Sequence, residues 1–151
     1  MNQVVVKQEK SGYQIVEAYK SLRTNLQFCG EDKKVIAITS CTSNEGKSSV
    51  SMQLGISLAE IGKRVILIDA DLRKSVLLGR TKTEKSVRGL AHFLSGQASL
   101  EDVICATNIK NFYMIYSGPF PPNPAELLGG KNFRSLLNAL RKVYDLSLIH
   151  I

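Results

Sequence analysis

Residues 33 to 73 read KKVIAITSCTSNEGKSSVSMQLGISLAEIGKRVILIDADLR, and their hydrophobic pattern sets the architecture of the whole chain. Val35, Ile36, Ala37 and Ile38 form a short continuous apolar run, the pattern of a strand covered on both faces. A polar turn containing Gly46 follows. From Lys47 to Ile61 the spacing of Val50, Leu54, Leu58 and Ile61 predicts a helix, and Gly62 stands where a left-handed residue would close it. RVILID then gives a second buried strand. Strand, helix and strand within about 35 residues make a βαβ unit, whose right-handed crossover lays both strands parallel in one sheet.

On the N-terminal side, Ile15, Tyr19, Leu22 and Leu26 recur at helical spacing, so an amphipathic helix over about residues 13–27 leads into this unit. On the C-terminal side, GLAHFL and SLEDVI read as two short helices, the second opened by Ser99 as N-cap with Asp102 three residues on. FYMIYS is a third strand. GPFPPNP is predicted as a loop, because prolines 119, 121, 122 and 124 remove amide donors and restrict their neighbours. A final helix, roughly Asn132 to Tyr144, turns Phe133, Leu136, Leu137 and Leu140 inward and runs into LSLIHI, a fourth apolar segment. The fold class is therefore α/β: an open, mostly parallel sheet with flanking helices, formed by one domain over residues 1–151.

The composition agrees. The chain has 151 residues, 44% apolar and 22% charged, close to a globular domain and unlike a disordered or fibrous segment. Cys29, Cys41 and Cys105 lack metal-ligand spacing and predict a reducing, cytosolic setting. No apolar run reaches the roughly 18 residues that a membrane span needs. The net charge of +7 is concentrated: between Arg73 and Arg88 stand six basic residues and only one acid, Glu84. Such a stretch is either a solvated loop or a site for a phosphate, a membrane surface or an acidic partner. Nucleic acid is not expected, because no aromatic residue is interleaved there to stack on bases.

The chemistry concentrates at two places. CTSNEGKSS, residues 41 to 49, matches the phosphate-loop pattern G-x-x-x-x-G-K-[ST], with Cys41 replacing the first glycine. Amides of Ser43, Asn44, Glu45 and Gly46, with the helix N-terminus behind them, would converge on phosphate oxygens, which requires a small residue at Gly46 and a positive φ nearby. Lys47 would reach the β- and γ-phosphates, Ser48 would offer its hydroxyl to Mg²⁺, and Ser49 could bond the α-phosphate. An ordinary polar βα loop is the plain alternative. The second strand ends Asp69, Ala70, Asp71, Leu72, Arg73, at the edge where open α/β sheets bind ligands. Two carboxylates at i and i+2 on an extended segment point the same way, so both are predicted to face the metal beside Lys47. Capping a helix or pairing with Arg73 is the plain alternative there.

The phosphate loop, the strand ending D-x-D-x-R and SGPFPPNPAELL at residues 117 to 128 together resemble the bacterial tyrosine kinases of capsule and exopolysaccharide synthesis, the CpsD/CapB type within the MinD/ParA-like ATPases. The resemblance implies a phosphate-loop kinase that transfers phosphate from ATP, with Mg²⁺, to tyrosine hydroxyls, its own included. Lys47, Asp69 and Asp71 would be catalytic, with Ser48, Asp69 and Asp71 serving the metal. It also implies a ring-shaped homo-oligomer held through E-x-x-R-x-x-R on the leading helix. Here that string is Glu17, Lys20 and Arg23, lysine replacing the middle arginine. A membrane chain-length regulator of polysaccharide export would be the activating partner, giving a cytoplasmic protein held peripherally at the membrane. None of the five tyrosines reads as the acceptor. The family's Walker B aspartate, in D-T-P-P, is replaced at the matching place by His150. SLIHI resembles translated sequencing adapter, so the kinase domain is expected to be incomplete, the native chain continuing differently after about Asp145. Two other readings stand beside the kinase: a MinD/ParA-like ATPase switch, whose early phosphate-loop lysine is missing from Cys41, Thr42 and Ser43, and a catalytically inactive nucleotide-binding fragment.

Overall fold

Every residue of the strand Val65–Asp69 is buried, because it runs through the middle of the sheet and is covered on both faces. The computed structural model describes residues 1–8, 11–42, 46–83 and 86–151. In chain order the elements are β1 (Asn2–Val6), α1 (Tyr13–Phe28), β2 (Val35–Ile38), α2 (Lys47–Glu60), β3 (Val65–Asp69), a 3₁₀ turn (Leu77–Arg80) and β4 (Thr81–Thr83). They continue with α3 (Leu90–Leu94), α4 (Leu100–Val103), β5 (Cys105–Thr107), β6 (Phe112–Ile115), α5 (Pro124–Leu128), α6 (Lys131–Val143) and β7 (Leu146–His150). Among the described residues the sheet runs β2-β7-β3-β6-β5-β1-β4. It is parallel except at the β5·β6 and β1·β4 pairs.

Alternation along β3 divides the core into two layers. Val65 and Leu67 face α2 and pack with Leu54, Leu58, Phe112 and Met114. Ile66 and Ile68 face the other way, toward Leu90, Leu94, Leu136 and Leu140 of α3 and α6. Fully burying such a side chain is worth about 1.5–3 kcal/mol, so this strand fixes the height at which its terminal acid stands. Helix α2 closes on the sheet at Gly55, where an added Cβ would come within 2.5 Å of the Phe112 ring. At its end Gly62 takes φ +89 while Gly62 N donates to Ala59 O and Lys63 N to Leu58 O, the left-handed closure that the sequence called for.

Two packing expectations need correction. The segment KKVIAITS is a strand, but not one covered on both sides: among the described residues β2 is the sheet's edge, paired with β7 alone, and Ala37 is exposed. Helix α1 forms where expected, yet none of its residues is fully buried, and Ile15 and Leu22 face solvent. It rests on α2 through Arg23, which donates to Ser57 O at 2.8 Å and meets Ser57 Oγ at 3.2 Å, with Leu26 against the core. Ser99 and Asp102 do form the reciprocal cap that opens α4. The proline run is irregular up to Asn123, and Pro124 starts α5 at its first position, where no amide donor is needed.

Candidate functional site

The site is built at the C-terminal ends of β2, β3 and β7, where α2 begins. Gly46 is the N-cap of α2 and takes φ +83, a left-handed conformation that only glycine adopts cheaply. Among the described residues no atom beyond its chain neighbours lies within 4 Å of where its Cβ would stand, and the backbone angle by itself demands glycine. The first turn is then locked by Val50 N donating to Gly46 O at 2.9 Å and by the buried Ser51 hydroxyl donating to Lys47 O at 2.7 Å. Lys47, Ser48 and Ser49 occupy that turn and are partly buried. Ser43, Asn44 and Glu45 lie outside the described residues.

Asp69 closes β3 with no exposed surface. Its Oδ1 accepts from the Asp71 amide at 3.1 Å, and its Oδ2 accepts from the Ser75 hydroxyl. Beside it stands His150, at the end of β7, in register with Asp69 on one side and Ile38 on the other. The imidazole lies between two site residues, with Nδ1 3.2 Å from Asp69 Oδ1 and Nε2 3.0 Å from Ser48 Oγ. The Lys47 ammonium donates to the Ile151 carbonyl. Ser48, Asp69 and the end of β7 therefore converge on one point, with Lys47 at its rim. The position that the family pattern gives to its Walker B acid is the end of β7, so the topology brings that position to the site.

Asp71 stands beyond the end of the strand. The chain leaves the strand at Asp69, and Asp71 Oδ1 accepts from the amides of Arg73 (3.3 Å) and Lys74 (3.0 Å), closing a turn. The strand ends at Asp69, so Asp71 stands in the turn that follows it and not on the extended segment that the i, i+2 spacing predicted. Among the described residues no hydrogen bond joins Asp71 to Lys47 or Ser48. Ser75 is a site residue that sequence reading missed; its hydroxyl reaches Asp69 only because the intervening turn folds back.

On the leading helix, Glu17 and Lys20 form an exposed pair at 3.4 Å, while Arg23 is turned inward onto α2 with Glu60 at 4.0 Å. Tyr116 is buried against Thr81, and burial pushes its phenol up to about 12. Tyr113 and Tyr144 meet edge to face at 5.2 Å under the Arg64 guanidinium. Tyr144 is also raised, by burial first.

A divalent ion fits this donor set in one particular way. Among the described residues no cluster of three or more acidic, histidine or cysteine side chains forms a metal cage. One hydroxyl and one or two carboxylates suit Mg²⁺, which keeps several waters and takes its remaining oxygens from nucleotide phosphates.

A glycine-opened helix carrying lysine and serine, set beside an acid at the edge of an open parallel sheet, defines a phosphate-loop nucleotide-binding protein. The chain belongs to the AAA domain family, whose profile matches residues 33–150. It is 42% identical over 133 residues to the tyrosine-protein kinase CpsD of Streptococcus agalactiae, covering 88% of this chain and 58% of that protein. Its structure is similar to the BceF tyrosine kinase domain, with a TM-score of 0.80 and 41% identity over 89% of this chain and 54% of that one. The septum site-determining protein MinD of Pyrococcus horikoshii, complexed with Mg-ADP, is a more distant match, with a TM-score of 0.64 and 28% identity over 78% of this chain and 48% of that one. The chain thus spans a little over half the length of these two kinases.

Proposed function

We propose that this chain carries the phosphate-loop part of an ATP-dependent protein-tyrosine kinase of capsule and exopolysaccharide synthesis. The observation that carries the reading is the convergence of Ser48 and Asp69 on one point beside Lys47, in a chain 42% identical to a tyrosine-protein kinase. Similarity to the kinase domains, with a higher TM-score than to the MinD protein, favours phosphoryl transfer over a positioning switch.

The Gly46 amide and the start of α2 bind phosphate oxygens of ATP, and Lys47 adds a point charge at the β- and γ-phosphates. Ser48, Asp69 and Asp71 are the residues that would hold Mg²⁺, which supplies charge neutralisation on the transferring group. Catalysis is otherwise positioning, with one carboxylate of the Asp69 and Asp71 pair accepting the phenolic proton late in the transfer. Tyrosines of the protein's own chain are among the acceptors. The assembly is a ring in which Glu17, Lys20 and Arg23 contribute the contact between copies. A membrane chain-length regulator of polysaccharide export activates it, so the kinase acts on the cytoplasmic side and is held there through that protein.

Phosphotyrosine formed by the full-length protein with Mg-ATP tests the reading. Lys47→Met abolishes it. Phosphotyrosine unchanged in that variant, or ATP hydrolysed by the native protein without any transfer, contradicts the kinase and supports the ATPase switch.

A further inference from the structure

We infer that the β1·β4 edge of the sheet, with the 3₁₀ turn that leads into it, is a docking surface for an anionic lipid bilayer. This goes beyond the proposed kinase activity and does not depend on it.

The edge and the segment leading into it expose both cations and apolar side chains. Val5 of β1 is opposite Lys82 of β4, so the two share a face of the sheet, and Lys7 follows directly after the end of β1. Lys7 Nζ reaches Gly79 O, and Lys7 N donates to Arg80 O, which ties the turn to the strand. Arg73, Lys74 and Arg80, in the segment that leads into β4, are exposed. Val5 is 49% exposed, and Val76 and Leu78 are each 56% exposed, although the same turn buries Leu77 completely. Leu77 and the buried Thr81 anchor the segment, so the outward position of Val76 and Leu78 is built in.

A lysine on an edge strand is ordinarily a guard against unwanted strand pairing. That accounts for Lys82 and leaves two protruding aliphatic side chains in the turn unexplained. Among the described residues, none of Lys7, Arg73, Lys74, Arg80 and Lys82 has an ion-pair partner. Long cations spread around small aliphatics match a lipid surface, where the charges sit at anionic headgroups and the aliphatics enter the interface. A protein partner of acidic character would need only the charges. Nucleic acid would want stacking aromatics, and this edge has none. Seating this edge on a bilayer would also hold Asp71, two residues before Arg73, close to the membrane.

Co-sedimentation with vesicles tests the inference, comparing phosphatidylcholine alone with phosphatidylcholine containing one third phosphatidylglycerol. Binding is expected with the anionic vesicles only. Each cation near such a surface is worth roughly five-fold in partitioning, so Arg80→Glu with Lys82→Glu is expected to lower binding by more than about ten-fold. Val76→Ser with Leu78→Ser is expected to lower it several-fold at unchanged charge. Lys131→Glu with Arg134→Glu, exposed on α6, makes the same change in net charge elsewhere and is expected to leave binding within about two-fold. Circular dichroism spectra identify any variant that has not folded. Three results would overturn the inference: no binding to anionic vesicles, equal loss in the α6 pair, or no loss in the aliphatic pair. The last would mean an electrostatic surface fit for an acidic protein instead.

Discussion

Gly89→Ala should be among the most damaging single-methyl additions in this protein, although Gly89 itself has φ −123, a conformation open to any residue. Its difficulty is contact. An added Cβ would meet the Gly118 amide nitrogen, with Gly118 Cα at 2.5 Å and Tyr116 O at 2.7 Å, and all three are main-chain atoms that no rotamer change can move aside. The strand end and α3 would have to part, stretching the bonds from Leu90 N to Tyr116 O at 2.6 Å and from Ala91 N to Ser117 O at 2.9 Å. Overpacking costs about 1–3 kcal/mol and each weakened bond about 1 kcal/mol, for a total of roughly 3–5 kcal/mol. In a domain of this size that corresponds to a fall of roughly 10 °C in Tm. Thermal and urea unfolding followed by circular dichroism measure it, with Gly79→Ala as reference, since among the described residues nothing beyond its chain neighbours lies within 4 Å of a Cβ there. A loss below about 1 kcal/mol in Gly89→Ala would refute the close approach of these two backbones.

Three further outcomes are expected. Arg23→Ala removes a partly buried guanidinium from Ser57 O and Oγ, and should lower urea stability by about 1.5–3 kcal/mol even at low protein concentration; no loss there would contradict its seat on α2. Tyr116 is kept neutral by burial, so its contribution is complete below the ordinary phenol value and is lost as pH climbs from about 10 toward 12. Tyr116→Phe should therefore flatten the alkaline decline of Tm, and identical pH profiles would contradict this. Ser99→Ala breaks the reciprocal cap of α4 and should cost about 1 kcal/mol in urea unfolding, against no change if the cap is incidental.

The βαβ unit was legible because its signals are local: an apolar run for β3, a helical period for α2, and glycines at Gly46 and Gly62, where φ is positive. What escaped was tertiary. β4 (TKT) and β5 (CAT) are three residues long and carry no readable period, so only their pairing with β1 and β6 makes them strands. The exposure of Ala37 follows from β2 being an edge, a property of strand order that no local pattern encodes. At the site, Lys47, Ser48 and Asp69 were readable from spacing, whereas the turn that diverts Asp71 and brings Ser75 to Asp69 depends on how residues 70 to 75 fold back.

The central claim is that the start of α2 grips a nucleotide's phosphates, and titration of this chain with a fluorescent ATP analogue and Mg²⁺ tests it most directly. Losing one charged donor is worth about 1.5–3 kcal/mol, so saturable binding should weaken roughly 10- to 100-fold in Lys47→Met, with adenosine binding equally poorly to both forms. Equal affinity of the native chain and the variant for the analogue would contradict it.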